Sequence, residues 1–296
     1  MKWDYSSVSV WGIDQNGPDG EDIFTREVAA LAQSLSCQVE SEKALNGYSQ
    51  GFKLLRGEEL ICQAFTGGTG SAEGSSQFIA ASTADEVYPL LQERFPGHSV
   101  SRLDAAEDFC GDGTWDRLEA MLTAIAAKHR VSMAPFGEGH RRPDGTRDVT
   151  KGRSWYFGSK SSTFRVVLYE KGLEQIAKGI PADPTWVRLE VRVRPASKAK
   201  SLFGQVRLVP FDLFGMSRWG VDIGQHLQGP DLTRYKIGSV WKPSEQDKVA
   251  LKIVRMFDRG LDYLLDQYGT PEEVGRMLYE VKAKADEAGA LMPTAA

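Results

Sequence analysis

Apolar and polar residues alternate most cleanly in three stretches of the middle of the chain. In Trp186-Val-Arg-Leu-Glu190-Val-Arg-Val-Arg194, the residues Val187, Leu189, Val191 and Val193 fall on one side. Arg188, Glu190, Arg192 and Arg194 fall on the other, the period of a half-buried strand. Phe164, Val166 and Leu168 alternate in the same way with Arg165, Val167, Tyr169 and Lys171. This second strand follows Trp155-Tyr-Phe across a polar Gly-Ser-Lys-Ser-Ser turn, which predicts a hairpin. Val100 to Phe109 is a third strand, on which Asp104, Ala106 and Asp108 share a face with Arg102 beside them.

The same patterning predicts the remaining elements. Residues 3–13 read as an opening strand with Val8 and Val10 on one face, and residues 21–36 as an amphipathic helix. A hairpin about Gly57 joins Phe52–Leu55 to Leu60–Phe65, and a flexible glycine-rich loop over residues 67–76 follows. That loop lacks the GxxxxGK[ST] pattern of a phosphate cradle. Helices are expected from Ala84 to Phe95 with Thr83 as N-cap, from Trp115 to His129, and briefly around residues 173–177. Residues 201–242 are irregular and aromatic-rich, with Phe203, Phe211, Phe214 and Trp219 expected chiefly in a core. The last 50 residues read as helices, one capped by Ser244 and ended by Gly269, the next opened by Thr270-Pro-Glu-Glu; the tail after Gly289 reads as disordered. The sum is an α+β chain: a largely antiparallel sheet with the candidate site on one face, helices packed behind, and a helical C-terminal part. The expected division is 1–200 for the sheet domain and 201–296 for the rest.

Charge changes the picture. The net charge of -4 conceals a basic segment: residues 128–207 hold 17 Lys and Arg against 7 Asp and Glu. A surface that meets phosphates needs local positive charge rather than a basic total, although an ordinary solvated face has the same composition. No run of about 18 apolar residues predicts a membrane span. The first residues lack the apolar core of a secretory signal. Cys37, Cys62 and Cys110 are three widely spaced residues without a CxxC pair, which points to free thiols in a reducing cytoplasm.

The candidate chemistry sits on the three alternating strands. A phenol at a strand end, Tyr169, with Lys171 two positions on and Arg165 four back, is equipped to attack a phosphodiester. Asp104 and Asp108, separated on their face by a small alanine, leave room for a hard cation that prefers oxygen ligands. On spacing alone an exposed pair of acids is the commoner outcome. Glu190 lies among three arginines and is read alone as an ion pair; it becomes a third acid if its face meets that of Asp104. Asp4 taken by itself is a solvent-facing acid, and His140 is a loop residue beside two arginines.

Taken in order, Ser101-Arg-Leu-Asp-Ala-Ala-Glu-Asp-Phe, Tyr156-Phe-Gly-Ser-Lys-Ser-Ser, Arg165-Val-Val-Leu-Tyr-Glu-Lys171 and Trp186-Val-Arg-Leu-Glu-Val-Arg resemble the replication initiation factor family. These are the rolling-circle initiators of plasmids and filamentous phages, with related relaxases. The resemblance covers roughly residues 100–195. It implies Tyr169 as the nucleophile that forms a 5′-phosphotyrosine, with Lys171 or Arg165 as its basic partner, since Val167 stands where the family commonly has Arg. It implies Asp104, Asp108 and Glu190, with Asp4, as ligands of Mg²⁺ or Mn²⁺, and Lys160, Arg102, Arg188 and Arg192 as contacts to DNA. It further implies origin DNA, duplex and single-stranded, a host helicase and a second copy of the chain as partners, with no membrane. No His-hydrophobe-His motif is present, so the histidine-liganded branch of nicking enzymes is not resembled. Three other readings stay open: a relaxase acting at a transfer origin, a non-catalytic origin-binding protein, and a metal nuclease using activated water.

Overall fold

The structure, a computed structural model, describes residues 1–17, 22–137, 143–144, 148, 152–228, 256–257 and 260–287. Contacts divide the chain into two units, Met1–Val240 and Trp241–Ala296. The first is an α+β unit whose described residues form one ten-stranded, fully antiparallel sheet.

The strands are β1 (Lys2–Trp11), β2 (Gln38–Glu42), β3 (Tyr48–Arg56), β4 (Glu59–Gly68) and β5 (Ser75–Ala80). They continue with β6 (Ser99–Phe109), β7 (Met133–Phe136), β8 (Ser154–Phe157), β9 (Phe164–Tyr169) and β10 (Val187–Val193). Their order across the sheet is β2-β3-β4-β5-β1-β6-β10-β9-β8-β7. The three alternating strands of the sequence thus become neighbours, β6-β10-β9, at the centre of one half of the sheet.

Alternation decides which face is covered. Val187, Leu189, Val191 and Val193 of β10, Val166 and Leu168 of β9, and Leu103 and Ala105 of β6 are all buried in one core. Helices α1 (Ile23–Ser34), α2 (Ala84–Arg94) and α3 (Thr114–Lys128) contribute Phe24, Leu31, Tyr88, Leu91, Leu118 and Leu122 to it. Phe78 of β5, fully buried, lies between the rings of Phe24 at 6.0 Å and Phe95 at 5.5 Å. Each such side chain contributes about 1.5–3 kcal/mol by leaving water, which makes this the stable face on which the other is displayed.

Several expectations are corrected here. The glycine-rich stretch is no open loop: β4 runs to Gly68, a 3₁₀ turn spans Gly70–Ala72, and β5 begins at Ser75. Thr83 stands at the α2 cap position, but its hydroxyl donates to the Ile61 carbonyl at 2.5 Å instead of capping the helix. Residues 201–228, expected to belong with the C-terminal part, belong instead with the sheet. Two 3₁₀ segments, Ser197–Gln205 and Pro210–Met216, and α5 (Arg218–Gln228) bring Phe203, Phe214 and Trp219 into the core of the first unit. Lys171, expected on the same strand face as Tyr169, is instead the first residue of α4 (Lys171–Ala177).

In the second unit residues 260–268 are helical, and a helix spans Pro271–Glu287. Thr270 caps this helix by accepting from the Glu273 backbone N–H at 3.3 Å, while its hydroxyl donates to the Glu273 carboxylate at 3.0 Å. The expectations for His140, for Ser244 and for the tail after Gly289 lie outside the described residues.

Candidate active site

Register builds the site as rows across the strands. Asp108 of β6 pairs with Arg188 of β10, which pairs with Tyr169 of β9. One row along come Ala106, Glu190 and Val167; beyond it come Asp104, Arg192 and Arg165. Side chains in these rows share the face opposite the core, because register and pleat both repeat every two residues. Tyr5 of β1 is the partner of Asp104, and a bulge between Trp3 and Tyr5 carries Asp4. The bulge allows Asp4 to reach this face, where it accepts from Arg188 Nη1 at 3.0 Å.

Arginines grip every acid of the face. Arg188 donates from Nε and Nη2 to the two oxygens of Asp108, at 2.7 and 2.8 Å, and Trp186 Nε1 adds a third bond at 2.7 Å. Arg102 holds Asp104 in the same two-pronged manner, with Nε to Oδ1 at 2.9 Å. Arg192 donates to Glu190 at 2.6 Å and stands 3.8 Å from Asp104. Paired charges of this kind are what allow Asp104, Glu190 and Arg188 to be buried at 0, 4 and 6% exposure.

The electrostatics follow from that packing. Burial raises the Asp104 carboxyl well above the usual aspartate range, and neighbouring Glu190 adds to this against the pull of Arg102. Burial and then Glu190 likewise raise Asp4. Burial would raise Asp108 too, but the bonds from Arg188 and Trp186 outweigh it and hold that acid below its ordinary value. For Tyr169 burial is the largest influence, with Glu190 and Asp4 in the same direction, and Arg188 opposes them; the phenol ends well above its ordinary value.

Tyr169 is therefore a neutral, half-buried phenol within the field of Glu190, Asp4 and Arg188. Of its expected cations Lys171 lies over the ring and Arg165 stands away from it. Lys171 Nζ is 5.6 Å from the centre of the Tyr169 ring and bonds Glu174 at 2.9 Å. Arg165 is two rows along β9, about 13 Å at 3.3 Å per residue, where its guanidinium lies over the Tyr156 ring at 4.4 Å. Its buried Nε has no hydrogen-bond partner among the described residues. Lys160 lies exposed in the β8–β9 turn. Arg188, read from sequence only as a DNA contact, pairs with Tyr169 across the ladder and opposes the rise of its phenol, and nothing in the alternating pattern signals it without the register.

The oxygen donors Asp4, Asp104, Asp108 and Glu190 suit Mg²⁺ or Mn²⁺ by their chemistry. As arranged they do not fit one: each is engaged by an arginine, and among the described residues no three acidic, His or Cys side chains are placed to hold a metal ion.

The end of β9 is fixed by a buried clamp. Glu170, 7% exposed, accepts from the Arg153 backbone at 2.7 Å and from its guanidinium at 2.8 and 3.1 Å. Arg153 in turn lies over the Trp115 ring of α3 at 4.3 Å.

All four strands that carry this face between Asp108 and Tyr156 fall in, or within, one matched segment. Residues 98–206 match the replication initiation factor family. That span holds Asp104, Asp108, Tyr169, Arg188 and Glu190, while Asp4 precedes it. Among solved structures, a rolling circle replication initiator protein from Geobacillus stearothermophilus is similar, with a TM-score of 0.48 and 15% identity over 79% of this chain and 97% of that one. Comparison with curated proteins gives no match. Among the described residues no helix is long and apolar enough to cross a membrane.

Proposed function

We propose that this chain is a rolling-circle replication initiator that nicks and rejoins origin DNA through a 5′-phosphotyrosine at Tyr169. The observation that carries the reading is the row Asp108–Arg188–Tyr169, which sets a phenol against a guanidinium on a face of acids and arginines. The match of residues 98–206 to the replication initiation factor family supports it.

In this reading the scissile phosphate lies over β9 and β10. Arg165, which has no carboxylate partner among the described residues, and Lys160 meet the phosphate backbone, while Arg188 faces the charge that builds on the phosphoryl oxygens. The Tyr169 oxygen bonds to phosphorus and the bond to the 3′ oxygen breaks. Asp4, its carboxyl raised by burial, takes the phenol proton and delivers it to the departing 3′ oxygen, which leaves as the 3′ hydroxyl. The tyrosyl ester keeps the energy of the phosphodiester, so the reverse attack reseals the strand.

Metal dependence is a separate proposal. The resemblance implies Mg²⁺ or Mn²⁺ at Asp104, Asp108 and Glu190, and holding an ion there would require Arg102, Arg188 and Arg192 to release these acids. Such an ion supplies positive charge to a phosphoryl oxygen. The resemblance adds origin DNA, a host helicase and a second copy as partners, and the three free thiols suit the cytoplasm.

The test is incubation with a supercoiled plasmid carrying the cognate origin, in Mg²⁺, Mn²⁺ or EDTA. The expected product is a relaxed circle with protein on the 5′ end, formed only with a divalent ion. Binding without relaxation would make the chain an origin-binding protein, and a free 5′ phosphate would point to hydrolysis by water. Relaxation confined to a transfer origin would make it a relaxase.

A further inference from the structure

The row that holds Tyr169 continues past it. Tyr169 pairs with Ser154 of β8, and Ser154 pairs with Phe136 of β7, the last strand at this edge of the sheet. Phe136 is 67% exposed although it is one of the largest apolar side chains on the active face. Between the two rings stands only a serine, and the backbones that carry them are about 10 Å apart, two strand spacings. Above this gap lies a cavity of about 420 Å³, floored by Tyr156 and Val167 and walled by Leu173 of α4.

The two sides of Tyr169 thus differ in chemistry. Towards β10 the row offers a guanidinium; towards β7 the slot offers rings, Leu173, Ala177 and one hydroxyl, with the carboxylates Glu170, Glu174 and Glu190 in its lining already paired with cations. Among the residues lining the cavity the cation is Arg192, held by Glu190 at 2.6 Å, and the lining carboxylates Glu174 and Glu170 are paired with Lys171 at 2.9 Å and Arg153 at 2.8 Å. A phosphate entering there would meet acids that are better paired without it. A flat, uncharged ring would meet an exposed aromatic to stack on, at little cost in desolvation.

We propose that this slot takes the nucleobase of a nucleotide beside the cut, stacked on Phe136, so that backbone and base part to opposite sides of Tyr169. The inference rests on the nicking reading and assigns its base-side subsite. Phe136 is then a determinant of how the strand is held, separate from the groups that carry out the transfer.

The test uses fluorescein-labelled dT 12-mers and 12-mers with the same sugar-phosphate backbone but no bases, titrated into wild type, Phe136→Ala and Phe136→Trp. Because Phe136 is exposed, neither substitution disturbs the core. Wild type should prefer the strand with bases; Phe136→Ala should reduce that preference about tenfold, the size of one base–aromatic stack, and Phe136→Trp should keep it. Equal binding of both strands by wild type, or an unchanged preference in Phe136→Ala, overturns the proposal. Adduct formation on the origin plasmid is measured alongside. If adducts form while the preference is absent, the slot falls and the nicking reading stands. If the Phe136-dependent preference is present and wild type forms no adduct, nicking falls and the slot remains a base-binding site.

Discussion

Arg188 stands directly opposite Tyr169 across the β9–β10 ladder, while its guanidinium bridges Asp108 and Asp4. One side chain therefore ties three strands together and sets the charge beside the phenol. Burial opposes the charge of Arg188, but Asp108, Tyr169 and Asp4 outweigh it and keep the guanidinium more basic than usual.

Replacing Arg188 by Lys should keep the charge and lose the two-pronged hold on Asp108, because an ammonium group does not form that fork. Leaving an oxygen of Asp108 and one of Asp4 without a donor costs about 1–3 kcal/mol, readable by urea denaturation. With the opposing cation displaced, the Tyr169 phenol rises further. Strand cleavage should then slow about tenfold, with its pH profile moved to higher pH. A stable variant with an unchanged profile would remove Arg188 from the account of Tyr169.

Asp104 gives a pH dependence of stability. Its folded carboxyl is raised above the unfolded value, so the folded state binds the proton more tightly. Its contribution is fully present below the ordinary aspartate pKa of about 3.9 and is lost as pH rises through the folded value. Chemical denaturation from pH 4 towards neutrality should show wild type losing stability over this window, and Asp104→Asn should flatten the fall. Parallel curves for the two proteins would show that the site does not raise Asp104.

Gly172 tests how α4 positions the end of β9. Its N–H bonds the Trp186 carbonyl at 2.9 Å, and a Cβ added there would lie 1.8 Å from the Asp183 carbonyl oxygen. Gly172→Ala must push the first turn of α4, and with it Lys171, away from β10. A loss of about 1–3 kcal/mol by thermal or urea unfolding is expected, with slower adduct formation. Wild-type stability in that variant would mean that α4 is free to shift.

Faces were legible in the sequence, and neighbours were not. The alternation over Phe164–Tyr169 and Val187–Val193 assigns each side chain to core or open face correctly, since the pleat forces it. That Tyr169 stands opposite Arg188 depends on the β9–β10 register, which the alternation within either strand does not contain, and that Asp4 reaches this face depends on a bulge between Trp3 and Tyr5 in the β1–β6 ladder. Lys171 was read as a strand residue because the alternation continues through it; the strand ends at Tyr169, and Glu170, buried on Arg153, leads into α4. The helix α5 was missed because Gly220 and Gly224 weaken its pattern. Gly220 is there for contact: a Cβ would come within 2.7 Å of the Phe164 ring and 2.5 Å of the Phe214 carbonyl.

The central claim is that the Tyr169 oxygen becomes bonded to DNA. Incubating wild type and Tyr169→Phe with the origin plasmid, digesting with nuclease and protease, and mapping the nucleotide-bearing peptide by mass spectrometry reads this directly. The account predicts a nucleotide on the peptide containing Tyr169 in wild type and no covalent adduct from Tyr169→Phe. An adduct that persists in Tyr169→Phe, or one mapped to another residue, would contradict it.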